Sequence, residues 1–280
     1  MISQKSLSDL EAKARAIRAS VIRMVYTAQS GHIGPSLSIA DLLAVLYFQV
    51  LRIDPANPGW PARDRLVLSK GHACAGWYAA LAERGYFPKE ELLTFRQLHS
   101  RLQGHPDMVK TPGVDMTAGS LGHGLSAGLG MALAARIDGL NYRTYVILGD
   151  GEIQEGLIWE AAMAAPQIKL DNLVAIIDYN RWQSGGAVGE IMPLEPLSLK
   201  WQAFGWATQE IDGHNLRAIL EAFARAEGTK GQPSAIISHS TKGKGVSFME
   251  NDNKWHMTAP TREEAEKALQ ELLGEEVRLS

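Results

Sequence analysis

At 280 residues the chain can bury a large core, as one large α/β domain or as two small ones. Lys and Arg total 28 against 31 Asp and Glu, a net charge of -3 with no single-signed block, which argues against nucleic acid or any other polyanion as a partner. The one cysteine, Cys74, excludes an internal disulfide or a thiolate metal cluster and suits a reducing compartment, where a small buried hydrophobe is its expected role. No stretch approaches the roughly 20 apolar residues that span a bilayer, and the N-terminus is not of signal-peptide type, so a cytoplasmic protein without a membrane partner is expected.

Leu10, Ala14, Ile17, Val21, Ile22 and Val25 recur at helical spacing and predict an opening helix over residues 8–27, with Ser8 as its N-cap. Gly31-His32-Ile33-Gly34-Pro35 breaks the pattern, and residues 38–51 read as a strongly apolar, buried helix. A Pro/Gly-rich loop over residues 54–61 follows. Residues 65–69 form a short strand candidate leading into Lys70-Gly71-His72 and an Ala-rich helix through Arg84. A loop over residues 104–119 carries His105. In residues 120–135 the small positions Gly122, Gly124, Ala127, Gly128, Gly130 and Ala132 predict a helix packed very closely on its neighbours. Each helical Gly costs about 1 kcal/mol relative to Ala, and only close approach offsets that.

The centre of the chain is the most informative. Tyr145-Val146-Ile147-Leu148 breaks into Gly149-Asp150-Gly151, a helical segment follows, and a second apolar run over residues 173–177 ends in Asp178-Tyr179-Asn180. This is a strand, helix, strand unit. In a parallel sheet both strands end on one edge, where ligands bind, so Asp150 and Asn180 should face a common crevice. Either residue alone is equally a turn former. Together, beside glycines that let a phosphate approach the backbone, they suit a divalent cation holding a diphosphate. The Asp150 carboxylate, the Asn180 amide oxygen and a backbone carbonyl near Trp182 would leave room for two diphosphate oxygens and a water. Residues 234–238 are a further strand and residues 261–273 a charged terminal helix. The alternation predicts an α/β fold, a doubly wound and mainly parallel sheet with helices on both faces, and no repeat or linker marks a second domain within residues 1–280.

Five of the eight histidines lie in loops punctuated by Gly or Pro: His32, His72, His105, His123 and His256. One such residue is ordinarily structural, but five loops meeting at one sheet edge could bind phosphate and sugar hydroxyls and move protons. His99, His214 and His239 carry no such signal. Glu155 and Glu160 do not share a helix face at strict i, i+4 spacing, and Glu152 reads as a simple complement to the helix dipole.

The ordered motifs SGHIG, LSKGHA, GHPD, GSLGHGLSAGLGMALAAR, GDGEIQEGLIWEAA, DYNRWQSGG and WHMTAP resemble the N-terminal, diphosphate-binding half of a transketolase, over about residues 6–260. The resemblance implies the thiamine diphosphate-binding fold, with thiamine diphosphate and Mg²⁺ or another divalent cation as cofactors. It implies Asp150, Asn180 and the Trp182 carbonyl as metal ligands, and His72, Gly151, Asn180 and His256 around the diphosphate. Gly119 and Leu121 would lie beside the cofactor rings. His32, His105 and His256 would act on substrate, and Glu155 and Glu160 would link two cofactor sites across a dimer interface.

Two departures stand out. Ile33 replaces the proline usual in SGHPG, and Ser120 and His123 alter the GPLGQG loop; His123 either tunes substrate preference or faces solvent. The pyrimidine-binding and C-terminal domains of a full transketolase have no counterpart here, nor does the glutamate that protonates the aminopyrimidine. The resemblance therefore implies one subunit of a split transketolase, completed by a separately encoded C-terminal subunit in an α2β2 heterotetramer. It would transfer a two-carbon glycolaldehyde unit from a ketose phosphate to an aldehyde acceptor. The alternatives are the α-subunit of a 2-oxoacid dehydrogenase, a deoxyxylulose-phosphate-synthase-like half, or a non-catalytic binding module of the same fold.

Overall fold

The structure, a computed structural model, describes residues 4–279. Five parallel strands form the central sheet: β1 (Arg65–Leu68), β2 (Thr144–Gly149), β3 (Leu173–Tyr179), β6 (Ala207–Asp212) and β7 (Ser234–His239), in the order β1-β2-β3-β7-β6. A two-stranded hairpin, β4 (Trp182–Gln183) and β5 (Gly186–Ala187), hangs from the end of β3. The doubly wound parallel sheet expected from the alternation of apolar runs is present.

Period-two alternation sorts the strand residues between two cores. Leu66, Leu68, Tyr145, Ile147, Val174, Ile176 and Ile236 face one of them. There they pack against α1 (Gln4–Ala28), α2 (Ile33–Ser38), α3 (Ala40–Val45), α4 (Cys74–Arg84), α9 (Leu216–Gly228) and α10 (Arg262–Leu273). Val67, Val146, Leu148, Ala175, Ile177 and Ile237 face the other, beneath α5 (His123–Ile137), α6 (Gly156–Gln167), α7 (Val188–Ile191) and α8 (Leu197–Ala203). β2 and β3 are buried along their whole length, which is why they read as unbroken apolar runs. The edge strand β6, sequence ATQEID, is mostly half-exposed, so its polar composition gives no such signal.

Several local expectations are corrected. α1 begins before Ser8, which lies inside the helix and does not cap it. The helix expected over residues 38–51 starts at Ala40 and is not α-helical throughout, and the segment read as a break is itself helical from Ile33. α2 already includes Gly34 and Pro35, Ile39 interrupts it, and α3 runs into a π-helical turn over Leu46–Val50. Burial there is as expected, since every residue of α2 and α3 is in the core. The terminal helix α10 is capped by Thr261, whose hydroxyl accepts from Glu264 N while the Glu264 side chain accepts from Thr261 N.

Close packing explains part of the small-residue pattern of α5. A Cβ on Gly124 would lie 2.3 Å from Ser69 Cβ and one on Gly128 would lie 2.4 Å from Val146 Cγ2, so the helix sits directly on β1 and β2. A Cβ on Gly130 would meet nothing within 4 Å, and close packing does not explain that residue. Cys74 is fully buried, and burial pushes its thiol up to about 12. Among the described residues no helix is long and apolar enough to cross a membrane.

Candidate active site

The parallel strands deliver their carboxyl ends to one edge, and a cavity of about 430 Å³ opens there. Asp150 follows β2 and Asn180 follows β3; the register that pairs Gly149 with Asp178 sets these strand ends side by side. Both residues line the cavity, together with Trp182, Gly151, Gly119, Leu121, His32, His72, His105 and His256.

Asp150 is 1% exposed. Its Oδ1 accepts from Gly151 N at 2.8 Å and its Oδ2 from Arg181 N, with no cation in ion-pair contact among the described residues. Burial and the neighbouring Asp178 push its carboxyl up to about 7, against the backbone donors and Lys70. A Cβ on Gly151 would lie 2.7 Å from Gln183 Cβ, so the turn after Asp150 admits only glycine if the hairpin is to close over it.

Beneath the cavity lies a charge network that the sequence did not reveal. Asp178 is fully buried, and its Oδ2 accepts from Lys70 Nζ at 2.6 Å, Ser38 Oγ at 2.8 Å and Asn180 Nδ2 at 2.7 Å, while Ser240 Oγ donates to Oδ1. Burial alone would raise the Asp178 carboxyl, but Lys70 and the hydroxyls outweigh it and hold the group below the usual carboxylate range. The bond from Nδ2 orients the Asn180 amide, and its Oδ1 accepts from Trp182 N at 3.0 Å.

Four of the five loop histidines do converge. His32 has its ring centroid 5.0 Å from that of His72, 5.4 Å from His256 and 6.4 Å from His105, and His72 and His256 are 5.5 Å apart. Burial, then mutual repulsion and Arg96 and Lys242, lower His32 to about 4. Burial and Lys242 lower His256 to about 3, and His72 and His105 also move down. At neutral pH these rings are uncharged and offer one N–H and one lone pair each. His123 is not among them. It opens α5 exposed to solvent, with Nδ1 3.1 Å from Leu121 O, so the solvent-facing alternative holds.

Lys242, fully buried, is a second residue the sequence did not single out. Its Nζ lies 2.6 Å from Asn253 Oδ1 and 2.8 Å from His256 Nδ1, and burial followed by Lys70 brings it down to about 8. Accepting from the ammonium at Nδ1 assigns the His256 proton to Nε2.

Glu152 also corrects the sequence reading. It is 2% exposed and does not merely complement a helix dipole. Oε1 accepts from Ser69 Oγ at 2.5 Å and Gly122 N at 3.0 Å, and Oε2 from Gly149 N at 3.0 Å, tying together the loops after β1 and β2 and the start of α5. Glu155 is exposed at the cavity edge, while Glu160 is exposed on α6 outside the lining.

A second cavity of about 420 Å³ lies by the amino ends of the strands, but its Arg136 and Arg143 already donate to the carbonyls of Ile168, Lys169, Asp171, Ala226 and Glu227. The carboxyl-end cavity is different. It is lined by a buried carboxylate with no cation in contact, and behind its His256 wall lies a buried ammonium with no carboxylate in contact, among the described residues. No cluster of three His, Cys, Asp or Glu side chains among them is arranged to hold a metal. A cation here would therefore draw on one carboxylate, one amide oxygen and the backbone, leaving most positions to a ligand, which suits Mg²⁺ with a diphosphate. Fold and cavity together define an α/β domain with a ligand site at the carboxyl edge of its parallel sheet.

Comparison with known proteins gives the family. Residues 10–278 match the family described as transketolase, thiamine diphosphate binding domain. The chain is 50% identical over 264 residues to the 6-deoxy-6-sulfo-D-fructose transketolase subunit of Clostridium sp. (strain MSTE9), covering 94% of this chain and 96% of that one. It is 46% identical over 263 residues to an apulose-4-phosphate transketolase subunit from Phocaeicola vulgatus, covering 94% and 93%. The crystal structure of transketolase from Campylobacter jejuni superposes with a TM-score of 0.90 at 35% identity, over 95% of this chain and 43% of that one. The chain belongs to the transketolase family. It matches subunit-length members almost end to end and spans well under half of the longer ones. The two-subunit transketolase reading is thereby supported over the 2-oxoacid dehydrogenase, deoxyxylulose-phosphate-synthase-like and non-catalytic alternatives.

Proposed function

We propose that the chain is the diphosphate-binding subunit of a transketolase that moves a two-carbon glycolaldehyde unit from a ketose phosphate to an aldehyde acceptor. The observation that carries this reading is one cavity lined by the buried Asp150 carboxylate and four neutral histidines, with the buried Lys242 ammonium behind the wall on His256 Nδ1. Asp150, the Asn180 amide oxygen and the Trp182 carbonyl would hold Mg²⁺. His72, Gly151 and the Nε2–H of His256, backed at Nδ1 by Lys242, would hold the diphosphate oxygens, and Gly119 and Leu121 would flank the rings. Bound thiamine diphosphate supplies the carbanion chemistry.

The remaining work falls to this chain's side chains. His32 and His105, neutral at pH 7, can accept a proton from a substrate hydroxyl or return it, and can hydrogen-bond the sugar. Glu155, at the cavity edge, and Glu160 would face a neighbouring cofactor site across a subunit interface. The glutamate that acts on the aminopyrimidine, and most contacts to the substrate phosphate, would come from a separately encoded C-terminal subunit in an α2β2 assembly. Residues 1–280 form one domain in this reading, placed in the cytoplasm in keeping with the single buried cysteine.

The test is turnover of a ketose phosphate with an aldehyde acceptor, Mg²⁺ and thiamine diphosphate, with and without the partner chain. Activity should require both chains. Robust turnover by the isolated chain, or cofactor-dependent decarboxylation of pyruvate by the pair, would overturn the reading.

A further inference from the structure

His214 lies outside the cavity and in none of the loop motifs, yet it connects the fold's interior to the cavity wall. It sits between β6 and α9. Its Nδ1 is 2.7 Å from Asp41 Oδ2, on α3. Asp41 is also gripped by Arg18 of α1, with Nη1 to Oδ1 at 3.2 Å and Nη2 to Oδ2 at 2.5 Å. Burial would raise the Asp41 carboxyl, but His214 and Arg18 hold it below the ordinary range, so the acceptor stays ionised.

The other ring nitrogen, Nε2, accepts the backbone N–H of Thr241 at 2.8 Å. With Nε2 as acceptor, Nδ1 carries the proton and donates to Asp41, and both nitrogens are committed. Thr241 stands between two residues that face the cavity network. Ser240 donates to Asp178 Oδ1, and Lys242 contacts His256 Nδ1 at 2.8 Å. The same loop is tied down on either side by Ser240 N to Tyr179 O at 3.2 Å and Gly243 N to Gly34 O at 3.2 Å.

We propose that His214 is a positioning residue for the thiamine diphosphate site: by holding the Thr241 backbone, it sets Ser240 and Lys242 in register with Asp178 and His256. Lys244 N to Thr241 O at 3.2 Å and Asn251 N to Lys242 O at 2.9 Å also hold the loop, but neither engages the Thr241 N–H, and without His214 the peptide joining Ser240 to Thr241 would be free to rotate and shift Ser240 off Asp178. The proposal rests on the cofactor reading above.

The experiment compares the unaltered chain with His214→Asn and His214→Gln, each with its partner chain. Asn keeps a donor near Asp41 but withdraws the acceptor from Thr241, whereas the longer Gln can restore an acceptor there. Thiamine diphosphate affinity is measured by calorimetry at saturating Mg²⁺, kcat and KM by turnover, melting temperature by circular dichroism, and amide exchange over residues 240–243 in the cofactor-free chain. One lost neutral hydrogen bond predicts about 3- to 10-fold weaker cofactor binding for His214→Asn. Exchange at 240–243 should be faster, the acceptor KM nearly unchanged, and His214→Gln should recover part of the affinity. Unchanged affinity and exchange in His214→Asn, or losses that track only a lowered melting temperature in both variants, would overturn the proposal. If the unaltered assembly fails to bind thiamine diphosphate, the cofactor reading falls, and the exchange comparison alone decides whether His214 holds the loop.

Discussion

Asn180 Nδ2 donates to Asp178 Oδ2 at 2.7 Å, so a residue facing the cavity takes its orientation from one two positions earlier that never reaches it. Asp178 can do this because Lys70, on the loop after β1, keeps it ionised.

Replacing Asp178 with Asn should therefore be costly twice over. It strands the fully buried Lys70 ammonium without a counter-charge, at about 3–5 kcal/mol of stability, and frees the Asn180 amide to turn. Urea denaturation should show a lower midpoint at unchanged slope, and a loss below about 1 kcal/mol would contradict the assigned pairing.

Lys242→Met should have the opposite signature. Among the described residues the ammonium contacts only the Asn253 and His256 side chains, so its removal should leave the unfolding free energy level or slightly higher. Loss of the positive charge that backs His256 should weaken thiamine diphosphate binding by about 10-fold, read by calorimetry.

Two glycines of α5 should respond in opposite directions to alanine. At Gly124 the added Cβ collides with Ser69, whose hydroxyl is bonded to Glu152, and overpacking should cost about 1–3 kcal/mol or more. At Gly130 the added methyl meets nothing, and the substitution should stabilise by about 0.5–1 kcal/mol. Thermal unfolding of the isolated chain checks both.

The cofactor-free chain should lose stability on mild acidification. His32 and His256 titrate at about 4 and about 3 in the folded state against 6.5 in the ordinary state, so between these limits the unfolded chain binds more protons. Stability should be full above pH 6.5 and fall as pH drops toward 4. Urea midpoints at pH 7, 6 and 5 test this, and His32→Asn with His256→Asn should flatten the slope. Asp150, raised to about 7 in the folded state, opposes this by one proton over the same range, so the deciding comparison is between variants: equal slopes in the unaltered chain and the double variant would contradict the neutral, crowded histidine cluster.

Much of the fold was legible because β2 and β3 bury both faces, which writes them as apolar runs broken at Gly149 and Asp178. β6 was missed for the converse reason, since an edge strand with polar, half-exposed side chains has no run to detect. Glu152 and His123 show the limit of local reading. Each stands near the start of a helical segment, where solvent exposure is the usual outcome, yet one is sealed beneath Gly122 and Gly149 while the other faces water. Lys70 stood inside a motif read for its histidine, and Lys242 and His214 stood in none.

By itself the sequence determined which residues close the strands, the order of the motifs and the small-residue face of α5, because apolar period and backbone-special residues report their own local surroundings. Tertiary structure alone decided which charges are paired and which are left free for a ligand. Lys70 meets Asp178, Lys242 meets His256, and Arg18 and His214 both meet Asp41, across 14 to 173 positions of chain. The energy of a buried charge depends on what other elements bring within about 3 Å of it, and no local pattern carries that information.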